Sequence, residues 1–125
     1  AMAEAGLPLG PAFHVEFELE GGYEAGMALA DDDSGVTAVF IASDQLAMAA
    51  TSALHRRGIS IPDDIAVIAF DGTGNATYFR PPLSSVVQQR RDMAGDAVRR
   101  IVTNTASEDY TSYPMTLVLR TSSGD

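Results

Sequence analysis

The sequence predicts an α/β protein with a Rossmann-like layered fold and a mostly parallel sheet. Two observations carry this prediction. Apolar runs rich in β-branched residues stand at 36–42 and 65–70, and amphipathic stretches of helical period lie between and after such runs. The chain has 125 residues, of which 46% are hydrophobic, so it has room for one ordinary domain with a real core.

The first thirty residues predict three elements. Residues 1–7 have the character of a helix end that is broken at Gly6 and Pro8. Residues 14–19 alternate polar and apolar side chains, which predicts a short, half-buried strand. A helix is predicted at 23–30, and the acidic residues that follow it are expected to form a solvated loop.

The run at 36–42 predicts a strand that is buried on both faces, as in parallel sheets covered by helices. Either Ser43 or Asp44 could cap the helix that follows. That helix is predicted to continue to about Arg57 and to end at Gly58.

The remaining elements repeat this alternation. In chain order they are a strand at 65–70, a loop at 72–82, a strand at 83–87, a helix at 89–103, a turn at 107–109 and a strand at 113–119. The helix at 89–103 carries an apolar face formed by Met93, Ala94, Ala97, Val98, Ile101 and Val102.

The charge balance is acidic, with 8 basic against 17 acidic residues and a formal net charge of -9. All the basic residues are arginine, and the first is Arg56. Such a surface repels phosphate backbones, so this chain by itself is not expected to bind nucleic acid. The chain has no cysteine, no apolar run near the roughly 18 residues of a membrane span and no recognisable signal peptide. A cytoplasmic module without membrane contact is therefore expected.

Candidate ligand contacts follow from the predicted strand ends, because ligands of open α/β sheets bind there. Ser43 follows one predicted strand, Asp71 the next and Gln88 the third. A carboxylate such as that of Asp71 can accept two hydrogen bonds from vicinal hydroxyl groups of a sugar. Alternatively, Asp71 could only open a turn and cap the backbone N–H groups of Gly72 and Thr73.

Catalytic and metal-binding patterns are weak in this sequence. His14 and His55 are the only histidines and are not spaced as a pair of metal ligands. No G-x-S-x-G nucleophile pattern is present. We therefore expect no enzyme activity, no metal and no cofactor.

Three aromatic residues and one methionine are predicted at positions where they could contact a ligand or another protein chain. Phe17 could stack on a ligand ring or pack under the next helix. Tyr78 and Phe79 lie in a predicted surface loop, and Met48 lies off the core stripe of its helix. Aromatic and methionine side chains in such places are typical of protein interfaces.

Three linked motifs stand at residues 37–47 (TAVFIASDQLA), 58–71 (GISIPDDIAVIAFD) and 80–88 (RPPLSSVVQ). They resemble motifs of the lactose/galactose-repressor (LacI/GalR) family of transcription regulators. The first resembles the strand-to-helix junction of that family, the second its next loop and strand, and the third its Pro-Pro-Leu segment. Their order and spacing also agree, over nearly the whole chain.

The resemblance implies the C-terminal lobe of a type I periplasmic-binding-protein-like domain. In the family two such lobes enclose an effector behind an N-terminal helix-turn-helix. Residues 1–87 and 113–125 would form the C-terminal effector-binding and dimerisation lobe. Residues 88–112 would be a crossover helix that packs on the other lobe, and neither that lobe nor the DNA-binding headpiece has a counterpart in this chain.

Site residues are implied by the same resemblance. Four positions match effector contacts of the family: Phe17, Ser43, Asp71 and Gln88. Four others match its dimer surface: Leu46, Met48, Tyr78 and Phe79. Ser43 stands where asparagine is common, Ala69 where glycine is usual and Gly72 where a second aspartate is common, so the effector need not be one of the family's familiar ligands.

The implied function is effector binding and dimerisation within a LacI/GalR-type regulator. The expected partners are a carbohydrate or nucleoside-like molecule, a second copy of the protein, and operator DNA through the headpiece. Two alternatives remain open at this point, a periplasmic sugar-binding protein of a transporter and a sugar-modifying α/β enzyme.

Overall fold

The fold is described by a computed structural model of residues 2–105 and 110–124, so the turn predicted at 107–109 lies outside the described residues. Within them the sheet has four strands, in the order β1 (Ala38–Ile41), β2 (Ala66–Asp71), β3 (Ser84–Val87) and β4 (Thr116–Val118). The first three strands are parallel, and β4 pairs antiparallel with β3. The prediction of an α/β fold with a mostly parallel sheet is confirmed.

The helices are α1 (Leu19–Ala30), α2 (Asp44–Arg56) and α3 (Arg90–Thr103), with short 3₁₀ turns at Gly74–Tyr78 and Thr121–Ser123. Helix α2 begins where the sequence predicts, because the Ser43 side chain accepts a hydrogen bond from the N–H of Leu46 at 3.1 Å. This bond satisfies one of the backbone donors that every helix start leaves unpaired.

The core lies between α2, the sheet and the loops that join them. Leu54 of α2, Val67 and Ala69 of β2, and Leu83 before β3 are fully buried. Leu29 of α1 joins the same cluster. Because α1 packs on α2 and α2 packs on the sheet, this core fixes the positions of the strand ends that carry the candidate site.

The strand predicted at 14–19 is wrong. Residues 14–18 have no regular structure, and Leu19 already begins α1. The alternating pattern does not produce a buried face, because residues 14–19 are all exposed. The carbonyl oxygen of Glu16 lies against Gly21, so this segment folds back onto the start of α1 and does not enter the sheet.

One burial prediction is also wrong. We expected β1 to be covered on both faces, but Phe40 is 63% exposed while Val39 and Ile41 pack against the core. The physical reason is that the helices α1 and α2 lie together in one packed layer. The apolar face predicted on α3 is exposed, with Ile101 and Val102 both open to solvent, and α3 has no buried residue.

Candidate functional site

Asp71 and Gln88 meet at the carboxyl ends of two neighbouring parallel strands. Asp71 is the last residue of β2, it pairs in register with Val87, and Gln88 follows directly. The Gln88 side-chain amide donates a hydrogen bond to the Asp71 carboxylate, with Nε2 to Oδ1 at 3.0 Å. Two of the residues predicted to contact an effector therefore form one polar pair at the place where α/β sheets bind ligands.

The backbone at Asp71 is unusual. Its φ of 117° lies in the region that favours glycine, and Gly72 follows with φ of 63°. A Cβ on Gly72 would lie 2.6 Å from the Cα of Val87, so only glycine lets the turn pass this close to β3. The fold thus holds the backbone of Asp71 in a conformation that an aspartate seldom adopts by itself, and this backbone positions the carboxylate.

A buried network secures this turn. The N–H of Gly72 donates to Ser85 Oγ at 3.0 Å, and the N–H of Thr73 donates to Asp44 Oδ2 at 2.6 Å. The hydroxyl of Ser85 in turn donates to Asp44 Oδ1 at 2.6 Å. The Asp71 side chain therefore does not cap the N–H groups of Gly72 and Thr73, because other side chains bind them, and the Asp71 carboxylate accepts from Gln88 instead.

Arg90 adds a cation beside this pair. Its Nη1 donates to the backbone oxygen of Asp71 at 2.6 Å, from the first residue of α3. The arrangement of carboxylate, amide and guanidinium can accept from hydroxyl groups and donate to oxygen atoms of a polar ligand. Arg90 is not among the predicted site residues, although its position two residues after Gln88 at a helix start was a usable signal.

Phe17 and Ser43 differ in how far they can serve a ligand. Phe17 is 62% exposed and lies just before α1, so its ring is accessible. Ser43 is fully buried and its hydroxyl caps α2. The structure therefore does not present Ser43 at the surface of the site.

An open cavity of about 330 Å³ adjoins Asp71. Its lining comes from the end of β2 and the loop after it, the start of α1 and the first turns of α2, and consists of Leu19, Asp44, Gln45, Met48, Asp71, Thr73, Asn75 and Phe79. Leu19 is two residues after Phe17, so the segment that carries Phe17 approaches the same edge of the sheet as Asp71. This cavity makes room for a small molecule next to the carboxylate.

The residues predicted to form a dimer surface separate into two groups. Met48, Tyr78 and Phe79 line one open depression of about 470 Å³, and Tyr78 is 84% exposed. Leu46 is buried, and its backbone lies against Gly22 of α1. Two residues along a helix turn the side chain by about 200°, so Leu46 and Met48 point to opposite sides.

The described residues contain neither a metal-binding cluster nor a membrane-spanning helix. In residues 2–105 and 110–124, no three histidine, aspartate or glutamate side chains lie close enough together to hold a metal ion. Over the same residues no helix has both the length and the apolarity that a membrane span requires.

The fold is that of a lobe of the periplasmic-binding-protein type. The family model described as a periplasmic binding protein-like domain matches residues 1–123, so the chain belongs to this family. Its relatives within the family are transcription regulators of the LacI type, which confirms the resemblance that the three sequence motifs indicate.

Three of these relatives show the similarity in sequence identity and in the share of each chain that is covered. The chain is 41% identical over 102 residues to the HTH-type transcriptional regulator DegA of Bacillus subtilis, which is 79% of this chain and 30% of that protein. It is 35% identical over 104 residues to the ribose operon repressor of Haemophilus influenzae, 82% of this chain and 31% of that protein. A LacI-family regulator of Lactobacillus casei, solved with bound sucrose, superposes with a TM-score of 0.80 at 26% identity, over 98% of this chain and 47% of that one.

The chain therefore spans about 30% of the length of the curated relatives it matches. It also covers less than half of the sucrose-bound regulator.

Proposed function

We propose that this chain is the effector-binding and dimerising C-terminal part of a LacI/GalR-type transcription regulator. The observation that carries the proposal is the Asp71 carboxylate, held at the carboxyl end of β2 and paired with the Gln88 amide at 3.0 Å. A carboxylate fixed in this way binds a ligand by accepting hydrogen bonds from its hydroxyl groups. The regulator relatives of the chain support the same function.

The effector we propose is a carbohydrate or nucleoside-like molecule. Vicinal hydroxyl groups match the two oxygens of the Asp71 carboxylate, and Gln88 can both donate and accept. Phe17, exposed before α1, supplies an aromatic ring for one face of a sugar or base. The names of the ribose operon repressor and of the sucrose-bound regulator favour a sugar as the first class to screen.

The division of the chain follows from the same proposal. Residues 1–87 and 113–125 form the effector-binding lobe, and residues 88–112 cross over to a second lobe. The exposed apolar side chains of α3, Val98, Ile101 and Val102, support this assignment because a helix face of this kind normally packs on another surface. The effector then acts by favouring one arrangement of the two lobes.

The proposed partners are a second copy of the chain and operator DNA. Met48, Tyr78 and Phe79 form the proposed dimer surface, since they share one open depression and include an aromatic ring that is almost fully exposed. The net charge of -9 speaks against DNA contact by this chain, so DNA is bound through a helix-turn-helix headpiece elsewhere in the protein, in the cytoplasm.

The transporter and enzyme alternatives have less support. The relatives carry the names of transcription regulators, which favours a regulator over a transport protein. We propose no catalysed reaction, and turnover of a bound ligand would contradict this part of the proposal.

The decisive experiment is a calorimetric screen of sugars and nucleosides on the intact regulator, followed by Asp71→Ala. Loss of one charge-assisted hydrogen bond costs about 1.5–3 kcal/mol, so we expect the affinity to fall by about tenfold to a hundredfold. Asp63→Ala, which removes an exposed carboxylate outside the site, is the matched control and should bind normally. Unchanged affinity of the Asp71 variant would show that the site is assigned wrongly.

A further inference from the structure

The carboxylate of Asp44 is buried at the first turn of α2, and it accepts hydrogen bonds from Thr73 after β2 and from Ser85 of β3. Only 3% of the residue is exposed. Oδ2 accepts from both the N–H and the hydroxyl of Thr73, at 2.6 and 2.7 Å, and Oδ1 accepts from the hydroxyl of Ser85 at 2.6 Å. Burying a carboxylate is costly unless its oxygens are bonded, so this arrangement stabilises one specific geometry of the groups around it.

Those groups enclose the turn that carries Asp71. Thr73 is held by Asp44 directly, and Gly72 is held by Ser85, whose hydroxyl accepts from the Gly72 N–H at 3.0 Å while it donates to Asp44. Ser85 is fully buried, so water does not replace these bonds easily. The two residues after Asp71 are therefore anchored by one connected network.

The anchoring matters because Asp71 has a backbone conformation that an aspartate seldom adopts. Its φ of 117° is maintained only if the surrounding structure requires it. In that conformation its carboxylate accepts from Gln88 and its backbone oxygen accepts from Arg90. Release of Gly72 and Thr73 would let Asp71 relax and would separate it from both partners.

We propose that Asp44 is a positioning residue for effector binding, which acts through Ser85 and Thr73 to hold Asp71 in its binding conformation. Asp44 lies in the lining of the cavity beside Asp71, but both of its oxygens are bonded to Thr73 and Ser85, so we propose that it acts through them. The proposal rests on the proposed function for its effect on affinity, but its structural part can be tested without any ligand.

The first test measures backbone amide hydrogen exchange in Asp44→Asn, Ser85→Ala and Thr73→Val. Asparagine keeps the shape of Asp44 but has a single acceptor oxygen, so part of the network must break. We expect the exchange of Gly72 and Thr73 to accelerate by about tenfold in Ser85→Ala and Asp44→Asn. Thr73→Val removes only one hydroxyl group, so this variant should fold even if Asp44→Asn does not. Amide exchange at position 73 should accelerate in it by a smaller factor.

Ser84→Ala is the matched control. Ser84 is the preceding residue of β3 and is also fully buried, but its hydroxyl donates to the backbone oxygen of Arg120 at 2.8 Å and points away from the turn. Its loss should leave the exchange of Gly72 and Thr73 unchanged relative to the global stability. Equal acceleration in the control, or no acceleration in Ser85→Ala and Thr73→Val, would overturn the proposal.

The second test is a double-mutant cycle on the intact regulator, with a sugar or nucleoside identified in the screen as the probe. If Asp44 acts only through Asp71, Asp44→Asn weakens binding by about tenfold in the wild-type background and has no further effect in Asp71→Ala. Additive losses would contradict the positioning role. If no compound in the screen binds, the proposed function fails, while the exchange measurements still decide whether Asp44 holds the turn.

Discussion

Gly22 and Gly26 are the residues at which α1 approaches α2 most closely. A Cβ on Gly26 would lie 2.6 Å from the backbone oxygen of Ala50 and 2.7 Å from its Cα. These are backbone atoms, which cannot rotate away, so a methyl group must push the two helices apart. We expect Gly26→Ala to lower the free energy of unfolding by about 1–3 kcal/mol in urea denaturation.

The matched substitution is Gly95→Ala in α3. No atom lies within 4 Å of a Cβ at this position, and the residue is exposed in the helix interior. The same chemical change should therefore stabilise the protein by about 0.5–1 kcal/mol, because alanine loses less backbone entropy than glycine on folding. Equal effects of the two substitutions would mean that α1 and α2 are not in close contact in solution.

At the scale of elements, α3 is joined to the segment before β4 by the Asp96 carboxylate and by Arg100, whose Nη2 donates to Thr111 Oγ1. Asp96 accepts from the hydroxyl of Tyr113 at 2.7 Å and from Arg100 Nε at 2.9 Å. The hydrogen bond from Tyr113, with the guanidinium groups of Arg100 and Arg99, lowers the pKa of Asp96 below its ordinary value of 3.8, although desolvation opposes the shift. The same hydrogen bond raises the pKa of Tyr113.

The pH dependence follows from the sign of this shift. A carboxyl group whose pKa is lower in the folded state stabilises that state above its unfolded pKa, here near 3.8, and the stabilisation is lost as the pH falls through the folded pKa. A carbon-detected NMR titration should place the pKa of Asp96 below 3.8, and Tyr113→Phe should move it upward. Tyr110→Phe is the control, because Tyr110 is fully exposed. An unchanged Asp96 titration in Tyr113→Phe would exclude the hydrogen bond as the cause.

At the scale of the whole molecule, the acidic net charge opposes dimerisation through the proposed contact surface. Copies that each carry a charge of -9 repel one another, and salt screens this repulsion. If Met48, Tyr78 and Phe79 form the dimer surface, sedimentation should show stronger dimerisation as the salt concentration rises. Tyr78→Glu should shift the protein toward the monomer, because it replaces the exposed aromatic ring of the contact with a charged side chain.

Tyr110→Glu adds the same charge at a residue that is already fully exposed, and it should sediment like the wild type. Ile101→Ser tests the other exposed apolar surface, the face of α3. A dimer that survives Tyr78→Glu but is lost in Ile101→Ser would assign the contact to α3 and contradict the surface we propose.

Much of the candidate site could be predicted because it depends on local pattern and on one general rule of α/β sheets. The apolar runs located β2 and β3, and the polar residues after them, Asp71 and Gln88, are in hydrogen-bond contact. Ser43 was predicted as one of two possible caps of α2, and it is the cap. The role of Asp44 could not be predicted, because its partners Thr73 and Ser85 are 29 and 41 residues away in the chain.

The sequence by itself determined the order of strands and helices from β1 onward, the parallel arrangement of the central sheet and the family to which the chain belongs. These properties depend on the period of the hydrophobic pattern and on short motifs, which neighbouring residues encode. Only the tertiary structure decided that residues 14–18 stay outside the sheet, that Leu46 faces α1, and that a buried carboxylate holds the turn after Asp71. Each of these depends on contacts between segments distant in the chain, and packing, not local preference, sets which contacts form.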